Sequence, residues 1–157
     1  MDALIIFGAK YLFILSPLIC LYLFYKASDE VRREILIFAG ITLPIAFILS
    51  VIARNLYFNP RPFVVGEFIP LISHTPDNGF PSDHILLLAS LAMVGVRFFS
   101  YKFMISLWGI TLIVGITRIL AGVHHSIDIM GSILIAILSG EVAYAIIHKL
   151  WNKNQTN

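Results

Sequence analysis

Three short stretches of this chain combine cations, imidazoles and a carboxylate: RNLYFNPRP from Arg54 to Pro62, FPSDH from Phe80 to His84, and TRILAGVHHSID from Thr117 to Asp128. Ionisable side chains set between apolar runs are costly beside a bilayer, so they need a chemical reason to be there. Pro60 and Pro62 hold Arg61 out of helix, while Arg54 falls at the end of an apolar run. Two guanidiniums fixed in this way can converge on one tetrahedral anion, each offering forked donors to phosphate oxygens, and Arg118 adds another. Pro81 precedes Ser82 at an expected helix start, where free backbone N–H groups favour a bound anion. Asp83 is expected to face away from that anion, as a cap or as the partner of a nearby base. His84 follows in the first turn.

His124 and Asp128 stand four residues apart, on one face of a helix and within hydrogen-bonding reach. Continued by fours, that face reads Ser132, Ala136 and Gly140. Such small residues let another helix approach closely, so the face is expected to point into a bundle. A carboxylate on one imidazole nitrogen fixes the tautomer and leaves the other nitrogen with a free lone pair, a nucleophile. His125, three residues from Asp128, competes for this role, and the face argument favours His124. A metal centre is the main alternative use of so many histidines and acids. The H-E-x-x-H spacing is absent and the arginines would repel a divalent cation, so phosphate is the expected guest, with no metal and no cofactor. His74, His148 and Glu141 read as structural: a loop residue, a residue at the opposite end, and a buried acid bonded within the bundle.

The elements that must position these groups are apolar helices. A chain of 157 residues that is 59% hydrophobic and 13% charged, with mean hydropathy +0.89, is no water-soluble domain but an integral membrane protein. The net charge of +2, with basic residues at the ends of apolar runs, gives no stripe for nucleic acid. Cys20 is the only cysteine, which excludes an intramolecular disulfide; it is expected to pack as a small apolar residue. The expected architecture is all-α: one membrane-embedded domain over residues 1–157, a polytopic bundle of about five transmembrane helices with one long extracytoplasmic loop.

The expected spans are residues 3–25, 35–53 with a kink at Pro44, 82–99, 103–120 and 124–151, with 26–34 a polar connector and a frayed polar tail at the end. The first run rises about 34 Å, enough for a hydrocarbon core of roughly 30 Å. Within it, Lys10 either snorkels to the interface beside Tyr11 or marks a later start of the span, and both readings stand. The N-terminus has neither a basic n-region nor a small-residue cleavage pattern, so this first helix is expected to stay in the mature protein. Five of the seven prolines fall between Arg54 and His84, which makes that segment the long loop. Its Phe63, Phe68, Ile69, Leu71 and Ile72 are expected to bring part of it to the interface.

Lys26, Arg32, Arg33, Arg97, Lys102, Lys149 and Lys153 fall on one side of these spans, and Arg54, Arg61 and Arg118 on the other, with Lys10 near them. The excess marks the first side as cytoplasmic, so the N-terminus and the polar motifs are expected to face outward.

In order and spacing the motifs resemble the signature of the type-2 phosphatidic acid phosphatase (PAP2) superfamily: K-x6-R-P, then P-S-G-H, then S-R-x5-H-x3-D. They stand here as Arg54 to Arg61-Pro62, Pro81-Ser82-Asp83-His84, and Thr117-Arg118 to His124 and Asp128. Arginine replaces the lysine, threonine the first serine of the last motif, and Asp83 the glycine. The FPSDH form, preceded by HTPDNG, is similar to the bacitracin-resistance type of undecaprenyl-diphosphate phosphatase. The resemblance implies that His124 attacks phosphorus and forms a phosphohistidine, oriented by Asp128. It implies that His84 protonates the leaving group and then activates water, and that Arg54, Arg61, Ser82 and Arg118 bind the phosphoryl oxygens. The implied partners are a polyprenyl or other lipid phosphate and the lipids of a bacterial plasma membrane. Two other readings stand beside it: a phosphatase for phosphatidylglycerophosphate, phosphatidate or another lipid monophosphate, and, from a different class, a lipid or anion transporter that uses the arginines only to bind.

Overall fold

The computed structural model describes the backbone of residues 1–155 and the side chains of residues 1–150. Every regular element among them is helical: α1 Asp2–Lys10, α2 Leu15–Lys26, α3 Asp29–Leu56, a short α4 Pro62–Val65, α5 Asp83–Phe98, α6 Tyr101–Leu120 and α7 Ser126–Gln155, with a 3₁₀ turn at Leu12–Ile14. Asp2–Lys26, Asp29–Leu56, Tyr101–Leu120 and Ser126–Leu150 are long and apolar enough to cross a membrane. α5 has 16 residues and rises about 24 Å. Much of it is enclosed by protein. Ile85 and Leu88 pack with Ile110, Val114 and Ile129, while Leu86 and Ala89 pack with Ala46, Ile135 and Ala136. α5 is therefore the centre of the bundle, and α3, α6 and α7 surround it.

The first apolar run is not one uninterrupted helix. Tyr11 leaves helical geometry at φ −122°, ψ −32°, and the 3₁₀ turn follows before α2 begins. The break places Phe13 against α5 and lets α1 pack on the end of α6, where a side chain on Gly8 would strike Thr117. Of the stretch 26–34, only Ala27 and Ser28 connect; Lys26 ends α2 and residues from Asp29 onward are already α3. Ser28 caps α3, its hydroxyl accepting the Val31 N–H at 3.4 Å, and Asp29 and Glu30 lie at the positive helix end. Arg32 reaches back to the carbonyls of Phe24 and Tyr25, which α2 leaves open at its C-terminus. α3 then runs unbroken through Pro44 to Leu56.

At the other end of the bundle, α6 stops at Gly122, which adopts φ +78°, a left-handed conformation that suits glycine at a helix C-terminus. The Leu71 N–H donates to the Ala121 carbonyl at 3.0 Å and clips the long loop over this turn. Asn78 ties the loop together. Its Oδ1 accepts the N–H groups of Asn59 and Phe80, each at 3.0 Å, and its Nδ2 donates to the carbonyls of Arg54 at 3.1 Å and Tyr57 at 3.0 Å. All of its side-chain bonding capacity is thus used to bind the end of α3 to the start of α5. The Phe80–Pro81 peptide is cis. Phe68, Ile69 and Leu71 stay exposed on the loop surface.

Two expectations at the opposite end change. Glu141 is a half-exposed acid rather than a buried one, and it accepts two bonds from Arg97 at 2.9 and 3.0 Å while the Arg97 guanidinium lies over the Tyr144 ring. α7 continues as helix through Gln155, where a frayed tail was expected; Thr156 and Asn157 of that tail lie outside the described residues.

Candidate active site

The expected site residues come from four places: Arg54 at the end of α3, Arg61 just before α4, Ser82–His84 at the start of α5, and Arg118 to Asp128 across the α6–α7 turn. Arg54, Arg61, His84, Arg118 and His124 all line one cleft of about 200 Å³, together with Pro81, Asp83, His74, Asp77 and Asn78. That is room for roughly six waters, or for a phosphoryl group in their place.

Hydrogen bonding decides the state of the His124 ring. Its Nε2 faces the Arg61 Nη1 at 3.3 Å and the Arg118 Nη2 at 3.4 Å. Guanidiniums only donate, so Nε2 accepts and carries a lone pair. Its Nδ1 therefore holds the proton and donates to the Asp128 Oδ2 at 3.3 Å. Burial, with the repulsion of Arg118 and Arg61, holds the His124 pKa below the usual imidazole value, although the bond to Asp128 works the other way. The ring is a neutral base aimed at the place where two cations meet. His125 turns away: its Nε2 donates to the Pro60 carbonyl at 3.2 Å, while its backbone N–H donates to Asp128 at 2.8 Å.

Arg61 is 5% exposed and held on three sides, by the Asp77 carboxylate at 2.7 Å, the Val123 carbonyl at 2.8 Å and His124. Asp77 is kept below the usual carboxylate range because the bonds from Arg61 and Thr75 outweigh its partial burial. Arg118 is 3% exposed and donates through Nη1 to the Ala9 carbonyl at 3.1 Å, while its Nε–H has no partner among the described residues. Arg54 is more exposed and pairs with Asp83, which thus faces a cation at the cleft edge. Ser82 is fully buried, and its hydroxyl has no partner among the described residues; as the residue that opens α5 it stands beside free backbone N–H groups. His84 packs edge-on against Phe13 with ring centroids 4.8 Å apart.

Several residues that hold the site were not anticipated. His74, read as a structural loop residue, sits in the cleft with Nε2 3.3 Å from the Arg118 Nη2 and its ring 6.0 Å from that of His124. Burial and the two arginines lower its pKa, so it too is a neutral acceptor. Asn59 donates to the Asp128 Oδ1 at 2.7 Å. The HTPDNG and NPRP segments contain these residues, but nothing in their spacing says that they meet α6 and α7. No group of histidines, cysteines and acids that could hold a metal occurs among the described residues.

A profile of the PAP2 superfamily matches residues 34–152. The chain is 33% identical over 142 residues to undecaprenyl-diphosphatase BcrC of Bacillus subtilis (strain 168), covering 89% of this chain and 72% of that protein. It is 34% identical over 121 residues to the bacitracin transport permease protein BcrC of Bacillus licheniformis, covering 76% of this chain and 59% of that one. Among solved structures, Aquifex aeolicus LpxE shares the fold with a TM-score of 0.70 at 23% identity, over 91% of this chain and 82% of its own. With its sequence matched over most of its length and its helices laid out as in a solved relative, this chain belongs to the PAP2 superfamily and is a multi-pass membrane lipid phosphatase.

Proposed function

We propose that the protein removes the terminal phosphate of undecaprenyl diphosphate at the outer face of a bacterial plasma membrane, through a phosphohistidine on His124. One observation carries the chemistry: a His124 Nε2 lone pair directed at the meeting point of Arg61 and Arg118, with the opposite ring nitrogen on Asp128. The terminal phosphoryl group lies among Arg54, Arg61, Arg118 and the Ser82 end of α5, whose donors stabilise the charge that builds on its oxygens. Nε2 forms a bond to phosphorus as the bridging P–O bond breaks, and the electron pair leaves with the bridging oxygen. His84 gives that oxygen a proton. It then takes one from water as the water attacks phosphorus and releases His124. The guanidiniums supply the positive charge, so the step as written needs no metal.

The substrate reading is supported by the name of the Bacillus subtilis relative and by the length over which it aligns. The outward orientation is supported by the lysine and arginine excess at the Arg97 end of the bundle. The experiment is release of inorganic phosphate from undecaprenyl diphosphate, with chelator, by detergent-purified wild type and by His124→Ala. Wild-type turnover and its loss in the variant are expected. Preference for a lipid monophosphate would overturn the substrate. Phosphate release retained by His124→Ala would overturn His124 as the nucleophile, whereas no release by wild type from any lipid phosphate would favour a binding or transport role, the one in the name of the Bacillus licheniformis relative.

A further inference from the structure

A second cleft, of about 360 Å³, opens beside the one that holds His124, between the end of α1 and the long loop. His74, His84 and Arg118 line both clefts, so the two adjoin at these side chains. The rest of its wall is Lys10 and Ser73 with the apolar Ile6, Ala9, Leu71 and Ile72. It contains a lysine, an arginine and two imidazoles, and no carboxylate. Lys10 has no ion pair among the described residues, and its ammonium is 5.5 Å from the Tyr11 ring. Its backbone is anchored next door, where Arg118 binds the Ala9 carbonyl. A lysine in the last turn of a helix also suits the helix dipole, but that alone does not call for a cleft around it. The second sign of a ligand is the Arg118 Nε–H, on a residue 97% buried, which has no acceptor among the described residues.

We propose that Lys10, with Ser73 and His74, forms a second phosphate site that takes the lipid-side phosphate of the substrate and so selects diphosphates over monophosphates. The inference rests on the diphosphate reading above. A diphosphate spans two adjoining anion sites, and its bridging oxygen falls at their boundary. His84, which belongs to both walls, stands where that oxygen needs its proton. When the bridging bond breaks, the electron pair stays on the lipid phosphate, and a cation there stabilises the departing charge. A monophosphate ester has no group to place in this site.

The test is kcat/KM for phosphate release by wild type, K10M and K10R from a polyprenyl diphosphate and a polyprenyl monophosphate with the same tail, in neutral detergent. One charge-assisted contact corresponds to about a 10- to 100-fold change. In K10M the diphosphate value is expected to fall by that factor and the monophosphate value by less than about threefold, with K10R keeping most of the preference. Inorganic pyrophosphate should lose its advantage over orthophosphate as an inhibitor of K10M. Equal losses on both substrates, or no loss on either, would overturn the assignment of Lys10. So would an effect that develops only when anionic lipid is added, since Lys10 would then serve bulk head groups. A wild type that cleaves only the monophosphate would sink the diphosphate reading itself, whereas a diphosphate preference that survives in K10M sinks this inference alone.

Discussion

Asn59 and Asp128, 69 positions apart in the chain, meet at 2.7 Å through the asparagine amide and the carboxylate oxygen that His124 leaves free. The other oxygen takes both the His124 ring and the His125 N–H, so the buried carboxylate is bonded at each oxygen and cannot rotate without losing a partner. A carboxylate held in this way fixes the imidazole plane against the cleft.

Asn59→Ala should therefore act on turnover. Loss of one hydrogen bond to a charged group amounts to about 1.5–3 kcal/mol, or roughly a 10- to 100-fold fall in kcat. KM should stay close to wild type, because Asn59 does not line the phosphate cleft. Steady-state kinetics separate the two, and a rise in KM at constant kcat would contradict the positioning role.

The acid limb of the pH profile should lie below the ordinary imidazole range. His124 works as a neutral nucleophile, and burial together with Arg61 and Arg118 lowers its pKa in the folded enzyme. A lowered pKa keeps the lone pair free as pH falls through about 6.5, where an unperturbed histidine would be half protonated. Activity measured as kcat/KM should persist through that point and decline only at lower pH. Neutralising the neighbouring cation with Arg61→Gln should move the limb upward, toward the ordinary value, in whatever activity remains.

Asp83→Gly should tighten substrate binding without much change in turnover. Asp83 occupies the Arg54 guanidinium at the cleft edge, and both side chains are substantially exposed, 72% and 42%. An exposed pair of this kind contributes about 0.2–1 kcal/mol, so freeing Arg54 should lower KM by at most about fivefold. The gain should shrink at high ionic strength, where exposed charges are screened. Titrating KM against salt for both proteins checks this.

Gly131→Ala should destabilise the fold from within α7. A methyl group there runs into the Phe80 ring, which is stacked edge-on against Tyr57 at 5.1 Å and precedes Pro81 and Ser82. Overpacking of this kind costs about 1–3 kcal/mol. Thermal unfolding in detergent should shift downward, and activity should fall with it because the start of α5 is displaced. Phe80→Leu in the same background should recover part of both.

The sequence by itself determined the class of the protein, the approximate spans, and the residues with the chemistry, because long apolar runs and ionisable groups between them leave a membrane bundle few other arrangements. Periodicity placed His124 above Asp128 and ran the small face of Ser132, Ala136 and Gly140 toward α5, since spacing on a helix is local information. The capping of α3 by Ser28 was local too, yet the charged run 26–34 hid it behind the polarity of a connector. What only the tertiary structure decided are meetings between segments distant in sequence. The Asn59 amide reaches Asp128, His74 turns into the cleft, Phe13 packs on His84, and Arg118 hooks the carbonyl of Ala9. None of these has a period. Each depends on where a loop of 26 residues between α3 and α5 closes over the bundle, and on the break at Tyr11, which hydropathy does not register because both sides of it are equally apolar.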